Sequence, residues 1–241
     1  MAGHSKWANI KHRKERADMK KGKIFSRCAK EIISAVKVGG GGDPKGNPRL
    51  KLAIQKAKEA NVPNDIIDRN IKKASSTDQS DFIEMTYELY GHGGVGIIAD
   101  VMTDNKNRIA SEMRIATNKR GGVIASPGAV AFNFDRKGII QIDKKKGKEE
   151  DIFALATEAG AEDFEATDDA FIVTTDPALL YSVKEALVQK GISPDETSLE
   201  MIPKNYVECD PESIKNNLSL IEWLESLEDV DAVYHNMSLP E

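Results

Sequence analysis

Cysteine is scarce in this 241-residue chain, and long apolar runs are missing from it. The two cysteines, Cys28 and Cys209, lie far apart, which fits neither a disulfide framework nor a zinc cluster and suits a reducing compartment. No stretch of about 18 apolar residues is present, so we expect no membrane partner. The cationic N-terminus lacks the apolar segment of a secretory signal, and we therefore expect a cytoplasmic protein.

Charge is abundant but divided unequally along the chain. The net charge is −5, yet residues 1–75 contain 19 lysines and arginines against 7 aspartates and glutamates, a net +12. The remaining residues carry −17, and residues 149–201 alone contain 14 acidic and 2 basic side chains. This asymmetry indicates a basic, polyanion-binding region attached to an acidic body, although a solvated charged surface is the alternative.

The basic region opens with a segment, residues 1–23, that has few apolar positions and is expected to be mobile or only partly helical. Its cations would release counterions on contact with phosphates, giving sequence-tolerant binding with a log–log salt slope of about −5 if roughly six of them engage. Trp7 could stack on a base or anchor the segment to the helical domain. The candidate nucleic-acid-binding residues are Lys6, Trp7, Lys11, His12, Arg13, Lys14, Arg16, Lys20, Lys21, Lys23, Arg27, Arg49, Lys51 and Lys58.

Apolar residues spaced three and four apart predict three short helices, at about 23–38, from Asn47 to about 60, and ending near 74. Glycines at 39–42 and the "NVPND" segment at 61–65 separate them. Asn47 and Pro48 form a helix start. That start could hold a phosphate with Arg49 nearby, but simple capping is the alternative. These helices and the opening segment make a predicted basic helical domain, residues 1–78.

The rest of the sequence predicts a mixed fold. Strands at 84–90 and 95–103 flank the turn "GHGG", a helix runs to about 118, and a strand is expected over 129–135. From residue 138 the order is β-α-β-β-α-β, the ferredoxin-like pattern. A final helix near 211–227 and a strand would complete the middle sheet, so the acidic unit is expected to be inserted into it. The predicted class is α+β, with a middle domain at 79–136 plus 206–241 and an acidic ferredoxin-like domain at 137–205.

No motif indicates catalysis or a cofactor. The "YGHGGVG" segment (90–96) lacks phosphate-loop spacing and joins two strands, so we interpret it as a turn. In "TDNKNR" (103–108), Asp104 or Asn105 is expected to cap the next helix and Arg108 to be a surface cation. His4 and His12 are not spaced as metal ligands. We find no nucleophile beside a base and no acidic pair within apolar strands, and we expect no enzyme, no metal and no cofactor.

Several of these segments together resemble the YebC/PmpR family, which includes the mitochondrial translational activator of cytochrome c oxidase subunit I. They are "MAGHSKWANIKHRK" at the start, "GGDPKGNPRLKLAIQKAKEANVPND" at 41–65, "YGHGGVG", "TDNKNR" and "FDRKG" at 134–138. The resemblance implies a three-domain α+β fold whose last domain is inserted in the middle one. It also implies a non-enzymatic protein, described in the family either as a DNA-binding transcriptional regulator or as a ribosome-associated factor that assists translation through proline runs.

Two functions therefore stay open. In the first, residues 1–75 bind duplex DNA and the acidic domains recruit partners or form a homo-oligomer. In the second, the same region binds ribosomal or transfer RNA, which suits a chain whose short helices offer no row of base-reading side chains. A third alternative, a metal-dependent enzyme acting through acidic surfaces, lacks a supporting motif.

Overall fold

The structure, a computed structural model, describes residues 6–13, 21–76 and 82–239, without the side chains of residues 21–23. Helix α1 occupies residues 6–13. The other helices are α2 Lys21–Val38, α3 Pro48–Glu59, α4 Asn64–Ala74, α5 Lys106–Arg120, α6 Glu149–Glu158, α7 Leu180–Gln189 and α8 Pro211–Ser226. The strands are β1 Ile83–Tyr90, β2 Gly96–Thr103, β3 Val123–Ile124, β4 Phe134–Asp143, β5 Asp163–Ala166, β6 Ala170–Thr175, β7 Glu196–Pro203 and β8 Val230–His235.

Helices α2, α3 and α4 pack around a hydrophobic cluster of their own, which includes Ile32, Leu50 and Ile67. The apolar spacing that predicts them places these side chains inward, as expected for amphipathic helices. The Asn47 side chain caps α3 by accepting from the Leu50 backbone N–H at 3.0 Å. The predicted helices and the capping interpretation of Asn47 are confirmed.

The first sheet has the strand order β3-β1-β2-β8. Its core includes Met113 of α5 and Leu220 of α8. Strand β8, from the end of the chain, pairs antiparallel with β2, so that Ile97 lies opposite His235. The turn between β1 and β2 is the short 3-10 segment His92–Gly94, as the turn interpretation predicts.

The second sheet, β5-β6-β4-β7, is built from the segment between β3 and α8. Its strands pair antiparallel, and α6 and α7 contribute to a core that includes Ile140, Val173 and Leu187. The element order β-α-β-β-α-β is the ferredoxin-like one. The α+β class, with N-terminal helices and this unit inserted into a mixed one, is confirmed.

Two compact units make up the described chain. One comprises Lys6 and Phe132–Tyr206, and the other comprises Trp7–Ala131 with residues 207–239. The basic helices thus belong to the same unit as the first sheet. The residue limits of the three domains proposed from the sequence stay a prediction.

The strand predicted over 129–135 is wrong in its first part, because residues 131–133 form a 3-10 turn and β4 begins at Phe134. The cause is the buried Glu88 carboxylate on β1. It accepts the backbone N–H groups of Gly128, Val130 and Ala131 at 2.6–2.7 Å. These donors bond a side chain and are not available to a β-ladder.

A buried carboxylate, Asp229, fixes α2 against the first sheet. Lys30 of α2 donates its Nζ to Asp229 Oδ1 at 3.2 Å and to the carbonyls of Glu228 and Met102 at 2.9 and 3.3 Å. Asp229 is 1% exposed, and its other oxygen accepts from Thr103 at 2.8 Å. Polar groups from separate segments therefore satisfy one buried charge, as burial requires.

Arg108 completes this cluster. Its side chain is 42% exposed, so it is a surface cation as predicted, and it also pairs with the buried carboxylate. Its Nε and Nη2 donate to Asp229 Oδ2 at 3.0 and 2.7 Å, and Nη2 also contacts Asp104 at 2.8 Å. Asn105 caps α5 by accepting from the N–H groups of Asn107 and Arg108. Burial raises the pKa of Asp229, but hydrogen bonds from Arg108, Thr103 and Lys30 hold it below its ordinary value.

Replacing the buried Asp229 should lower the free energy of unfolding far more than replacing the exposed Asp104. We expect Asp229→Asn to lower the free energy of unfolding by about 3–5 kcal/mol, because it leaves Lys30 buried without a counter-charge. Asp104→Asn, which removes only a partly exposed contact to Arg108, should cost less than about 1 kcal/mol. Urea unfolding of both variants measures the difference, and equal losses would contradict this role of Asp229.

Glu88 should make stability depend on pH. Burial raises its pKa, but the three backbone donors hold it below the ordinary value. Its contribution is therefore fully present above the unfolded-state pKa, about 4.3, and is lost as the pH falls through the lower folded-state pKa. We expect Glu88→Gln to cost about 2 kcal/mol at pH 7 and progressively less on acidification.

Urea unfolding between pH 3 and 7 tests this dependence. Glu84→Gln on the same strand is the control, because the Glu84 side chain is 59% exposed. A cost of Glu88→Gln that stays constant over the whole pH range would rule out the proposed ionised state.

Candidate nucleic-acid interface

Residues 6–13 of the basic region form a helix that packs on the first sheet. Ile10 of α1 is 4% exposed, and the Asn9 amide donates to the carbonyls of Met237 and His235 at 3.0 and 3.4 Å. The Arg13 guanidinium lies 5.3 Å from the centre of the Tyr234 ring. The expectation of a partly helical segment is met over residues 6–13.

Because of this packing, some candidate residues of α1 contact the rest of the protein and others are exposed to solvent. Arg13 contacts Tyr234, and His12 and Trp7 are half-buried, whereas Lys11 is exposed. Both roles considered for Trp7, base stacking and anchoring, stay predictions. Lys11 is therefore the cation of α1 best placed to meet a phosphate without rearrangement.

Lys6 lies in an acidic environment within the ferredoxin-like unit. Its Nζ is 3.2 Å from Asp163 Oδ2 and 3.1 Å from Glu165 Oε1, and it donates to Thr174 Oγ1 at 3.0 Å. The side chain is 11% exposed. A phosphate could bind Lys6 only by displacing these carboxylates, so its predicted role would require a different arrangement of this lysine.

Other candidates lie partly outside the described residues. These are Lys14, Arg16 and Lys20, and the side chains of Lys21 and Lys23. Arg27 is 44% exposed, with its Nε 3.8 Å from Glu31. The predicted roles of all six residues stay predictions.

The N-terminus of α3 is occupied by its own cap. The Asn47 side chain is buried and also donates to the carbonyls of Ala35 and Gly41, each at 2.8 Å. Arg49 contacts Glu84 and lies 3.3 Å from the Ser34 hydroxyl. Capping, the alternative to a phosphate site here, accounts for the arrangement at Asn47.

Three exposed lysines, by contrast, line one open groove between α3 and α4. Lys51 and Lys58 are seven residues apart on α3 and thus on one helical face, and Lys72 comes from α4. The groove has a volume of about 610 Å³. We name it the α3/α4 groove. Sequence reasoning included Lys51 and Lys58 but missed Lys72, since periodicity does not show which helical faces converge.

Apolar side chains form part of the lining of the α3/α4 groove. Ile54 and Ile71 are half-buried, and Ile67 is 3% exposed. Asn64 and Asp68, four residues apart on α4, supply polar groups to the same lining. The groove thus combines cations with an apolar surface and a few hydrogen-bonding groups.

Within residues 6–13, 21–76 and 82–239, no three histidine, cysteine or acidic side chains are grouped as metal ligands. Burial raises the pKa of the Cys28 thiol to about 11, which keeps it protonated at neutral pH. No helix in the described chain is long and apolar enough to cross a membrane.

Comparison with known proteins gives matches along nearly the whole chain. A family model described as "TACO1/YebC protein N-terminal domain" matches residues 5–77, and one described as "TACO1/YebC second and third domain" matches residues 82–237. A protein of Protochlamydia amoebophila is 72% identical over 241 residues, covering 100% of this chain and 98% of that protein. One of Chlamydia pneumoniae is 60% identical over 239 residues, covering 99% and 100%. Both are named "Probable transcriptional regulatory protein".

A solved structure also matches. The crystal structure of a conserved hypothetical protein from Aquifex aeolicus has a TM-score of 0.81 and 38% sequence identity, with 93% of each chain covered. The fold described above is therefore one that this relative shares.

The docking of α1 can be tested through its side-chain hydrogen bonds. Asn9→Ala removes the bonds to Met237 and His235, and we expect amide hydrogen exchange within residues 6–13 to become about five- to tenfold faster. Lys11→Ala, on the exposed side of the same helix, should leave the exchange rate unchanged. Hydrogen-exchange mass spectrometry measures both, and unchanged exchange in Asn9→Ala would contradict the docking.

Proposed function

Because the chain belongs to the TACO1/YebC family, we propose that it is a non-catalytic, cytoplasmic regulator of gene expression that binds nucleic acid through its basic helices. The names of the chlamydial relatives support a role as a regulator. We take duplex DNA as the first candidate partner, in keeping with the transcriptional role in those names.

The observation that carries this proposal is the group of exposed lysines on α3 and α4. Lys51, Lys58 and Lys72 line one groove, and they belong to a sequence region with a net charge of +12. Such a surface gains affinity for polyanions by releasing counterions from the phosphate backbone. Phosphate contacts of this kind position a protein without reading sequence.

The ferredoxin-like unit is proposed to serve another purpose. The segment 149–201 carries a net −12, which repels phosphates. We therefore assign it to contacts with protein or solvent. A homo-oligomer stays a prediction.

A second candidate function, an RNA-binding translation factor acting on the ribosome, is favoured by the apolar lining of the α3/α4 groove. A regular duplex presents phosphates and sugars to such a surface, and these groups gain little from contact with isoleucine side chains. Unpaired bases of structured RNA do present apolar faces. Crosslinking in cells, followed by sequencing of both bound DNA and bound RNA, separates the two functions.

Charge reversal at the groove tests the proposal. We expect the triple variant Lys51→Glu, Lys58→Glu, Lys72→Glu to bind nucleic acid at least about tenfold more weakly, with a log–log salt slope smaller in magnitude by about 3 on duplex. Fluorescence anisotropy over a salt series measures both quantities.

A matched control is the triple variant Lys145→Glu, Lys148→Glu, Lys190→Glu. These lysines are exposed in the ferredoxin-like unit, and the change in net charge is identical. This control variant should keep nearly all of the affinity for nucleic acid and nearly the same log–log salt slope. Equal losses in the two triple variants would show that net charge alone, and not the α3/α4 groove, determines binding.

A further inference from the structure

We infer that the α3/α4 groove holds one unpaired nucleotide of an RNA, with its base against the isoleucines and its flanking phosphates on the lysines. This inference rests on the proposed binding of nucleic acid by the basic helices, takes the RNA of the second candidate function as the partner, and adds the chemical form of the bound part. It follows from the combination of size, apolar lining and charge within a single groove.

The dimensions and floor of the groove suit a flat base. Its volume of about 610 Å³ lies within the range of small-molecule sites, roughly 300–1,000 Å³. Ile54 of α3 and Ile71 of α4 are only half-buried, so both can gain burial from a ligand. Loop residue Gly42 lies close to α4, since a Cβ added there would be 3.1 Å from both Ile71 Cγ2 and Ser75 Oγ. The loop therefore closes one side of the groove.

The lysines are placed to hold phosphates on either side of that base. Lys51 and Lys58 are separated by about 10 Å along the axis of α3, and Lys72 comes from the other helix. All three lysines line the same groove as the half-buried Ile54 and Ile71. This charge complementarity favours a polyanion as the occupant over an apolar protein segment.

Asp68 indicates which base is bound. A carboxylate repels phosphate but accepts hydrogen bonds, and Asp68 lines the groove together with the amide of Asn64. Guanine has two adjacent N–H donors on its Watson–Crick edge, which match the two oxygens of a carboxylate. In a duplex those donors are used in base pairing, whereas in an unpaired nucleotide they are free. We therefore assign the groove to an unpaired guanine.

The test uses the full chain and four RNA hairpins that differ at one position: a bulged guanosine, a bulged uridine, an abasic bulge, and no bulge. We expect the guanosine bulge to bind about tenfold more tightly than the abasic or fully paired hairpin, with uridine between them. Asp68→Asn should abolish the preference of guanosine over uridine.

Asp65→Asn is the matched control. It removes the same charge less than one helical turn from Asp68. Asp65 pairs with Arg69 at 3.6 Å. This variant should retain the preference for guanosine over uridine. Equal affinity for all four hairpins, with binding still dependent on the three lysines, would overturn this inference while leaving the proposed function standing. A DNA hairpin with the same bulge that binds as tightly as the RNA would overturn the assignment to RNA. If neither RNA nor duplex DNA bound in a way that depends on the three lysines, the proposed function itself would be overturned.

Discussion

One buried carboxylate holds the basic helices in place on the first sheet. Asp229 accepts from Lys30 of α2, from Thr103 at the end of β2 and from Arg108 at the start of α5. A charge removed from water is tolerated only with such complete pairing, and the loss of any partner leaves an uncompensated group. Helix α2 is thereby joined to the first sheet, and α3 and α4 pack with α2 around their own hydrophobic cluster. The lysines proposed to bind nucleic acid are therefore held in place relative to that sheet.

The segregation of charge along the chain is the basis for proposing that this surface binds nucleic acid. The helices concentrate the cations, and the inserted ferredoxin-like unit concentrates the acids. Lys6 illustrates the consequence, because its ammonium group is paired with Asp163 and Glu165 and is not exposed to a phosphate. The cations that stay accessible within the described residues include Lys11 and the three lysines of the α3/α4 groove. The surface proposed to bind nucleic acid is thus smaller than the number of basic residues implies.

Local patterns were sufficient to predict the helices, the ferredoxin-like order and the Asn47 cap, because each depends on residues near in sequence. Contacts between distant segments were not predictable in this way. Arg108 reaches Asp229 across 121 residues. Glu88 bonds a loop about 40 residues away and so delays the start of β4. Lys72 joins the groove only because α4 packs beside α3, which no periodicity reveals.

The central claim is that nucleic acid binds on α3 and α4. Its most direct test is ultraviolet crosslinking of the full chain to the nucleic acid it carries in cells, followed by mass spectrometry of the crosslinked peptides. We expect crosslinks concentrated in residues 48–74, around the α3/α4 groove. Crosslinks confined to residues 134–203, in the ferredoxin-like unit, would contradict it.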